Sequence, residues 1–184
     1  MQFNENPWQT LSEQAIYENN WIQITEFQVL NPAGKAGIYG VVHFKNFAIG
    51  IVPYQNGDIW LVGQYRYPLK RYSWEIIEGG GNTKVSPLES AARELKEETG
   101  MTAETYIPIV EMHLSNSVSD EWSIIYLATG LTQGEAEPEE TEQLQVRKVS
   151  LQQAFEEVEA GKITDSMSVA AIYKLMLMQM QGKL

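Results

Sequence analysis

The chain has no cysteine, only two histidines, and only 13 lysines and arginines against 24 aspartates and glutamates in 184 residues. Each scarcity excludes a class of function. Without cysteine there is no disulfide framework, no thiol nucleophile and no thiolate zinc site. His43 and His113 are too few and too separate for a histidine-rich metal site and read as structural residues. A formal charge of −11 is wrong for nucleic acid or an anionic membrane surface, both of which select clustered cations. Long apolar runs are missing as well: none approaches the roughly 18 residues that cross a bilayer, and the stretch from Met1 to Leu11 lacks an apolar core. The expectation is a cytoplasmic protein, long enough to bury a core without staples. Any anionic small molecule would have to be bound with the help of a metal and a few local cations.

Carboxylates, by contrast, are concentrated. The run Arg93-Glu94-Leu95-Lys96-Glu97-Glu98-Thr99-Gly100-Met101 follows the glycine-rich run Glu78-Gly79-Gly80-Gly81. Ser86 with Glu89 reads as a capping box, Pro87 suits the first helical position and Gly100 is a left-handed stop, so the signals predict a helix over 87–99. Leu88, Ala91, Ala92 and Leu95 supply its expected buried stripe. At about 100° per residue, Glu94, Glu97 and Glu98 share an arc of about 100° on that helix. Like charges so placed repel, and a hard cation taking oxygen ligands relieves the repulsion; Mg²⁺ fits best and Mn²⁺ can substitute. A merely solvated charged helix is the competing reading, but it leaves the glycines and the caps unexplained. Arg93, one turn from both Glu89 and Glu97, is expected to clamp Glu97.

Elsewhere, β-branched and aromatic runs predict strands over 21–30, 38–44, 47–54, 59–65, 106–113, 122–129 and 146–149. Asn31-Pro32-Ala33-Gly34 and Gln55-Asn56-Gly57-Asp58 are turn chemistry. Ser150 and Gln153 predict a second capping box, opening a helix with Leu151, Ala154, Phe155 and Val158 on its apolar face and Gly161 as its stop. A last helix is predicted over 166–179, with Val169, Ile172, Tyr173 and Met176 at core spacing. The one biased stretch, Gln133 to Gln143, is acidic.

The pattern Gly-x5-Glu-x7-Arg-Glu-aliphatic-x-Glu-Glu-x-Gly-aliphatic, read from Gly79 to Met101, resembles the signature of the Nudix hydrolases, with Val85 where the first glutamate belongs. The resemblance implies an α+β fold: an α/β/α sandwich with a mixed β-sheet between helices and an N-terminal antiparallel β-region. It further implies an N-terminal region over 1–44 for dimerisation and base binding and a catalytic domain over 45–184. Asn20-Trp21, Pro32-Ala33-Gly34-Lys35, Gln64-Tyr65-Arg66-Tyr67-Pro68, Trp74-Glu75-Ile76 and Gly161-Lys162-Ile163-Thr164-Asp165 look like the branch that hydrolyses ADP-ribose and nucleoside diphosphate sugars.

The implied reaction is Mg²⁺-dependent cleavage of the pyrophosphate bond of substrates of the ADP-ribose, ADP-glucose or GDP-mannose type, giving a nucleoside monophosphate and a sugar phosphate. Glu94 and Glu98 are the first choices as direct metal ligands, with Glu97 placed to bind through water. By resemblance, the backbone carbonyl of Glu78 completes the shell. The branch draws its general base from an acidic loop, which puts Glu140 first and Glu142 in reserve, although such a loop can also be plain solvated surface. Arg66 corresponds to a phosphate contact. Trp21 and Tyr39 match rings from two subunits of a homodimer with interleaved N-terminal strands that stack the base, although each ring alone also suits strand packing. Glu121 matches an acidic residue on ribose or metal. Relatives specific for ADP-ribose carry a proline in the segment read here as Leu114-Ser115-Asn116-Ser117, so its absence argues against ADP-ribose as sole substrate. Another nucleotide substrate, or a noncatalytic domain that senses nucleotide sugars, are the alternatives; intact Glu94, Glu97 and Glu98 favour an enzyme.

Overall fold

Turn chemistry organises the strands. The computed structural model describes residues 5–136 and 143–184, which fall into two units: the chain up to Phe47 with His113–Glu121, and Ala48–Met112 with Trp122–Leu184. In the first unit β1 (Gln9–Glu18), β2 (Ile22–Leu30) and β3 (Ala36–Phe44) make an antiparallel sheet in that order. Asn31 closes the β2–β3 turn, its Oδ1 accepting from the N–H groups of Ala33 and Lys35 at 3.0 Å, while Gly34 takes φ 74°. Strand β1 has no counterpart in the sequence reading. All ten of its residues are exposed, so no alternation of apolar and polar positions marks it, and pairing with β2 alone makes it a strand. The segment 114–121 is strapped to β3: Val42 N–H donates to the Val118 carbonyl at 2.8 Å and Asp120 N–H donates back to the Val42 carbonyl at 3.3 Å.

In the second unit, β4 (Phe47–Gln55) and β5 (Asp58–Arg66) form a hairpin around Asn56 and Gly57, whose φ values of 54° and 89° are the positive pair a type I′ turn needs. Two short strands, β6 (Arg71–Glu75) and β7 (Ile77–Gly81), pair with β5 and β4. With β8 (Met101–His113), β9 (Trp122–Gln133) and β10 (Gln145–Ser150) they complete a seven-stranded sheet in the order β10-β5-β4-β9-β8. The sheet is mixed, because β4 and β9 run parallel while β5 is antiparallel to β4, β6 and β10. Three helices accompany it: α1 (Pro87–Thr99), α2 (Leu151–Glu159) and α3 (Ser166–Met180). Among the described residues no helix is long and apolar enough to cross a membrane.

The ends of α1 and α2 follow the caps read from sequence, α3 starts from an N-cap, Asp165, that the sequence reading lacks, and the buried stripes differ. On α1 the buried residues are Ser90, Ala91, Glu94, Leu95, Glu98 and Thr99, whereas Leu88 is 45% exposed and Ala92 half-buried. The face turned to the core thus includes two of the carboxylates. On α2 Leu151, Ala154 and Val158 are buried and Phe155 only partly; Ser150 accepts from Gln153 N–H, but the Gln153 side chain reaches Glu157 rather than the cap. On α3 the buried line is Met167, Ser168, Ala171, Ile172 and Leu175, with Tyr173 exposed. This helix is apolar almost all round, so several stripes satisfy its periodicity, and small residues at 168 and 171 allow the close approach.

Candidate active site

Helix α1 is fixed at both ends. Ser86 Oγ accepts from Glu89 N–H at 3.2 Å, the Glu89 carboxylate accepts from Ser86 N–H at 2.9 Å, and Gly100 closes the helix at φ 73°. The Ser86 donors hold the Glu89 carboxylate below the usual range. A side chain on Gly100 would in addition run into the Gly134 carbonyl, 2.5 Å from its Cβ, and Gly134 N–H donates to the Gly100 carbonyl at 2.9 Å. The helix end and the start of the acidic stretch are therefore fitted to each other.

Between these ends Glu94 and Glu98 are 8% and 4% exposed, and the Glu97 side chain is 29% exposed. Arg93 organises two of the three: it donates to Glu97 Oε2 and to Glu94 Oε1, both at 2.5 Å, and to the Gly80 carbonyl at 3.2 Å. Burial works against its charge, but Glu94 and Glu97 outweigh that and raise its pKa. The glycine run presses on the same carboxylate. A Cβ at Gly79 would lie 2.1 Å from Glu94 Cδ, so only glycine permits this contact.

On the far side of the run is a second charged group. Arg66, at the end of β5, donates through Nε to both oxygens of Glu75, at 3.0 and 2.9 Å, and through Nη2 to Oε2 at 2.5 Å; its Nη2 also lies 3.5 Å from Glu78 Oε2. Glu75 is only 2% exposed, and such a forked pair is the strong form of ion pairing. Burial, and then Asp165, hydrogen-bonded to it, push the Glu78 carboxyl well above the usual range. Arg66 also lines a cavity of about 400 Å³ with Arg71, Thr164 and Ser166.

Three sequence-derived residues belong to the three-stranded unit. Trp21 is 66% exposed at the entry to β2, where Asn19 Oδ1 accepts its N–H at 2.8 Å. Tyr39 meets Trp8 edge-on at 5.4 Å and donates its hydroxyl to the Ser117 carbonyl at 2.6 Å. Tyr39 pairs with Phe27 and the Trp21 carbonyl accepts from Lys45 N–H, so Trp21 and Tyr39 are six residues apart along the ladder, about 20 Å. They cannot sandwich one ring within a single chain. Glu121 is half-buried, and burial and Asp120 raise its pKa. Glu140 and Glu142 lie outside the described residues.

A family model described as the NUDIX domain matches residues 45–167, and one described as the nucleoside diphosphate sugar hydrolase N-terminal domain matches residues 8–42. The chain belongs to the Nudix family. An ADP-ribose pyrophosphatase of Mycobacterium tuberculosis is 32% identical to this Nudix hydrolase over 91% of its chain and 83% of the relative. An ADP-ribose pyrophosphatase of Bacillus subtilis is 31% identical over 91% and 92%. The crystal structure of an ADP compounds hydrolase has the same fold, with a TM-score of 0.86 over 96% of this chain and 97% of that one at 20% identity.

Divalent metals are general to Nudix hydrolases, and the donor set of this one fits a hard cation: carboxylates on one face of α1, with a glycine run whose backbone abuts Glu94. The helix carboxylates of Glu94, Glu97 and Glu98 do not close on a common point, and the fourth expected donor, Glu78, would contribute its backbone carbonyl. Among the described residues no group of three or more His, Asp or Glu side chains is so gathered. Arg93 accounts for part of this, since it draws Glu94 and Glu97 to itself. Sequence reasoning missed Glu75, Asp165 and Ser168 as neighbours of the glycine run. Trp74-Glu75-Ile76 and the segment ending in Asp165 stood out as family marks, but nothing in either shows that they meet.

Proposed function

We propose that this Nudix hydrolase cleaves the pyrophosphate linkage of nucleoside diphosphate sugars with Mg²⁺, water adding across P–O–P to give a nucleoside monophosphate and a sugar phosphate. The observation that carries the reading is the placement of Glu94 and Glu98 on the core-facing side of α1, with the Glu94 carboxylate seated against Gly79, where any Cβ would collide with it. A divalent cation bound there would neutralise phosphate oxygens and acidify a bound water. Glu94 and Glu98 would hold it directly, Glu97 through water, and the Glu78 carbonyl from the glycine run. Arg93 orients the carboxylates, Arg66 presents its remaining N–H edge to a phosphate, and Glu140, or Glu142 in its place, takes the proton from the water.

Base recognition is assigned to Trp21 and Tyr39 of different copies in a homodimer, with Glu121 toward the ribose. The 20 Å or so between these rings along one chain supports a two-copy clamp. Substrates beyond ADP-ribose are included, because the segment Leu114-Ser115-Asn116-Ser117 lacks the proline that ADP-ribose specialists carry there.

The test is Mg²⁺-dependent release of nucleoside monophosphate from ADP-ribose, ADP-glucose, GDP-mannose and a nucleoside triphosphate, with Glu98→Gln as control. Turnover of the diphosphate sugars that falls by about a hundredfold or more in the control is expected, since metal ligands matter at least as much as their outer partners. Equal turnover in the control sinks the ligand assignment. Turnover of the triphosphate alone sinks the substrate class.

A further inference from the structure

The glycine run is gripped from two sides, and only one side belongs to α1. On that side Gly79 abuts Glu94. On the other, Glu78 reaches the first turn of α3: its Oε1 accepts from Ser168 Oγ at 3.2 Å, and the carboxyl of Asp165, the N-cap of that helix, stands beside it. Ser168 Oγ accepts from Ile76 N–H at 2.9 Å, so the turn holds the chain at 76 and again at 78, immediately before Gly79. Asp165 Oδ2 meanwhile caps α3 by accepting from Ser168 N–H at 2.8 Å.

A cap needs one acceptor oxygen, and serine, threonine or asparagine supplies it as well as aspartate. Setting a second carboxyl against the largely buried Glu78, with Glu75 also near, costs desolvation and charge repulsion that capping does not require. The contact is explained by what it fixes. We propose that Asp165 and Ser168 are positioning residues, which hold the Glu78 side chain and thereby aim the Glu78 backbone carbonyl and the glycine run at the metal site. The inference rests on the proposed reading of that carbonyl as a ligand.

Two substitutions separate cap from tether. Asp165→Asn keeps an acceptor for Ser168 N–H and offers an amide N–H to Glu78; Asp165→Ser keeps the cap but removes the side-chain group beside Glu78. In the full-length protein, the measurements are the thermal midpoint without metal, Mn²⁺ affinity by electron paramagnetic resonance, and kcat and KM for ADP-ribose. Both variants should melt alike. The Asn variant should stay within about threefold of the parent, and the Ser variant should lose about tenfold or more in Mn²⁺ affinity and in kcat with a smaller change in KM, the usual scale for partners of metal ligands. Ser168→Ala, which leaves the Asp165 acceptor in place, should move in the same direction and carries the test if the Ser variant does not fold. A Ser variant equal to the parent in Mn²⁺ binding and turnover overturns the inference, as does equal loss in the Asn and Ser variants. A parent protein that binds no Mn²⁺ and turns over no diphosphate sugar overturns the underlying reading itself.

Discussion

The two units spend their apolar residues in opposite ways. The twelve largest fully buried side chains among the described residues, from Ile49 to Leu175, all belong to the unit of Ala48–Met112 and Trp122–Leu184. The three-stranded unit contributes only Val29 to the described apolar core, while its Trp8, Leu11, Ile16, Tyr17, Trp21 and Ile38 are each at least 40% exposed. A carboxylate can be buried and aimed only by packing that does not yield, which is where Glu94 and Glu98 sit. The other unit leaves the rings of Trp8, Tyr17 and Trp21 exposed, as the proposed base-stacking role of Trp21 requires.

This contrast can be broken most forcefully in the core. Leu95→Ala should cost about 2–5 kcal/mol in chemical denaturation, whereas Ile38→Ala on the open sheet should stay within about 0.5 kcal/mol for the isolated chain. If Ile38→Ala costs as much and the cost depends on protein concentration, a second copy covers that sheet, and sedimentation would show it. Gly79→Ala comes next. Its methyl group must displace the Glu94 carboxylate, so a stability loss of about 1–3 kcal/mol should accompany a larger loss of turnover. Trp21→Ala should leave the thermal midpoint in place and raise KM, since base–ring stacking is worth about 1–3 kcal/mol. An unchanged KM would return Trp21 to plain surface.

The smallest effect concerns acid. The folded Glu89 pKa lies below its unfolded value, so its contribution is present above the unfolded pKa and lost as pH falls through the folded one. Glu89→Gln should therefore lower the midpoint slightly at neutral pH and converge with the parent in acid. A constant difference at every pH would mean that the carboxylate charge is not what caps the helix.

Much of the catalytic unit was legible because its signals are local. Ser86, Pro87, Glu89 and Gly100 specify α1 within fifteen residues of chain, and Asn56-Gly57 specifies its hairpin. What escaped is set by tertiary contact. Strand β1 exists through its partner and carries no burial pattern, and β6 and β7 are five-residue strands, one of them ending in three glycines. The buried face of α3 was chosen by neighbours from stripes that the sequence makes nearly equivalent. The meeting of Glu78 with Ser168 spans ninety residues, a separation over which no periodicity speaks.

The strap on β3 has a consequence for how this chain can be divided. Residues 113–121 interrupt the catalytic unit in sequence, between β8 and β9, yet Val42, Tyr39 and Phe44 supply their hydrogen-bond partners. A cut between the two family-model matches, after residue 42 and before residue 45, would leave residues 45–47 and 113–121 of the smaller unit on the chain of the larger one. The N-terminal sheet is therefore not a cassette that recombination could append or exchange at one junction. A chimera that exchanges the sheet must take residues 113–121 from the same parent to keep the hydrogen bonds to Tyr39, Val42 and Phe44.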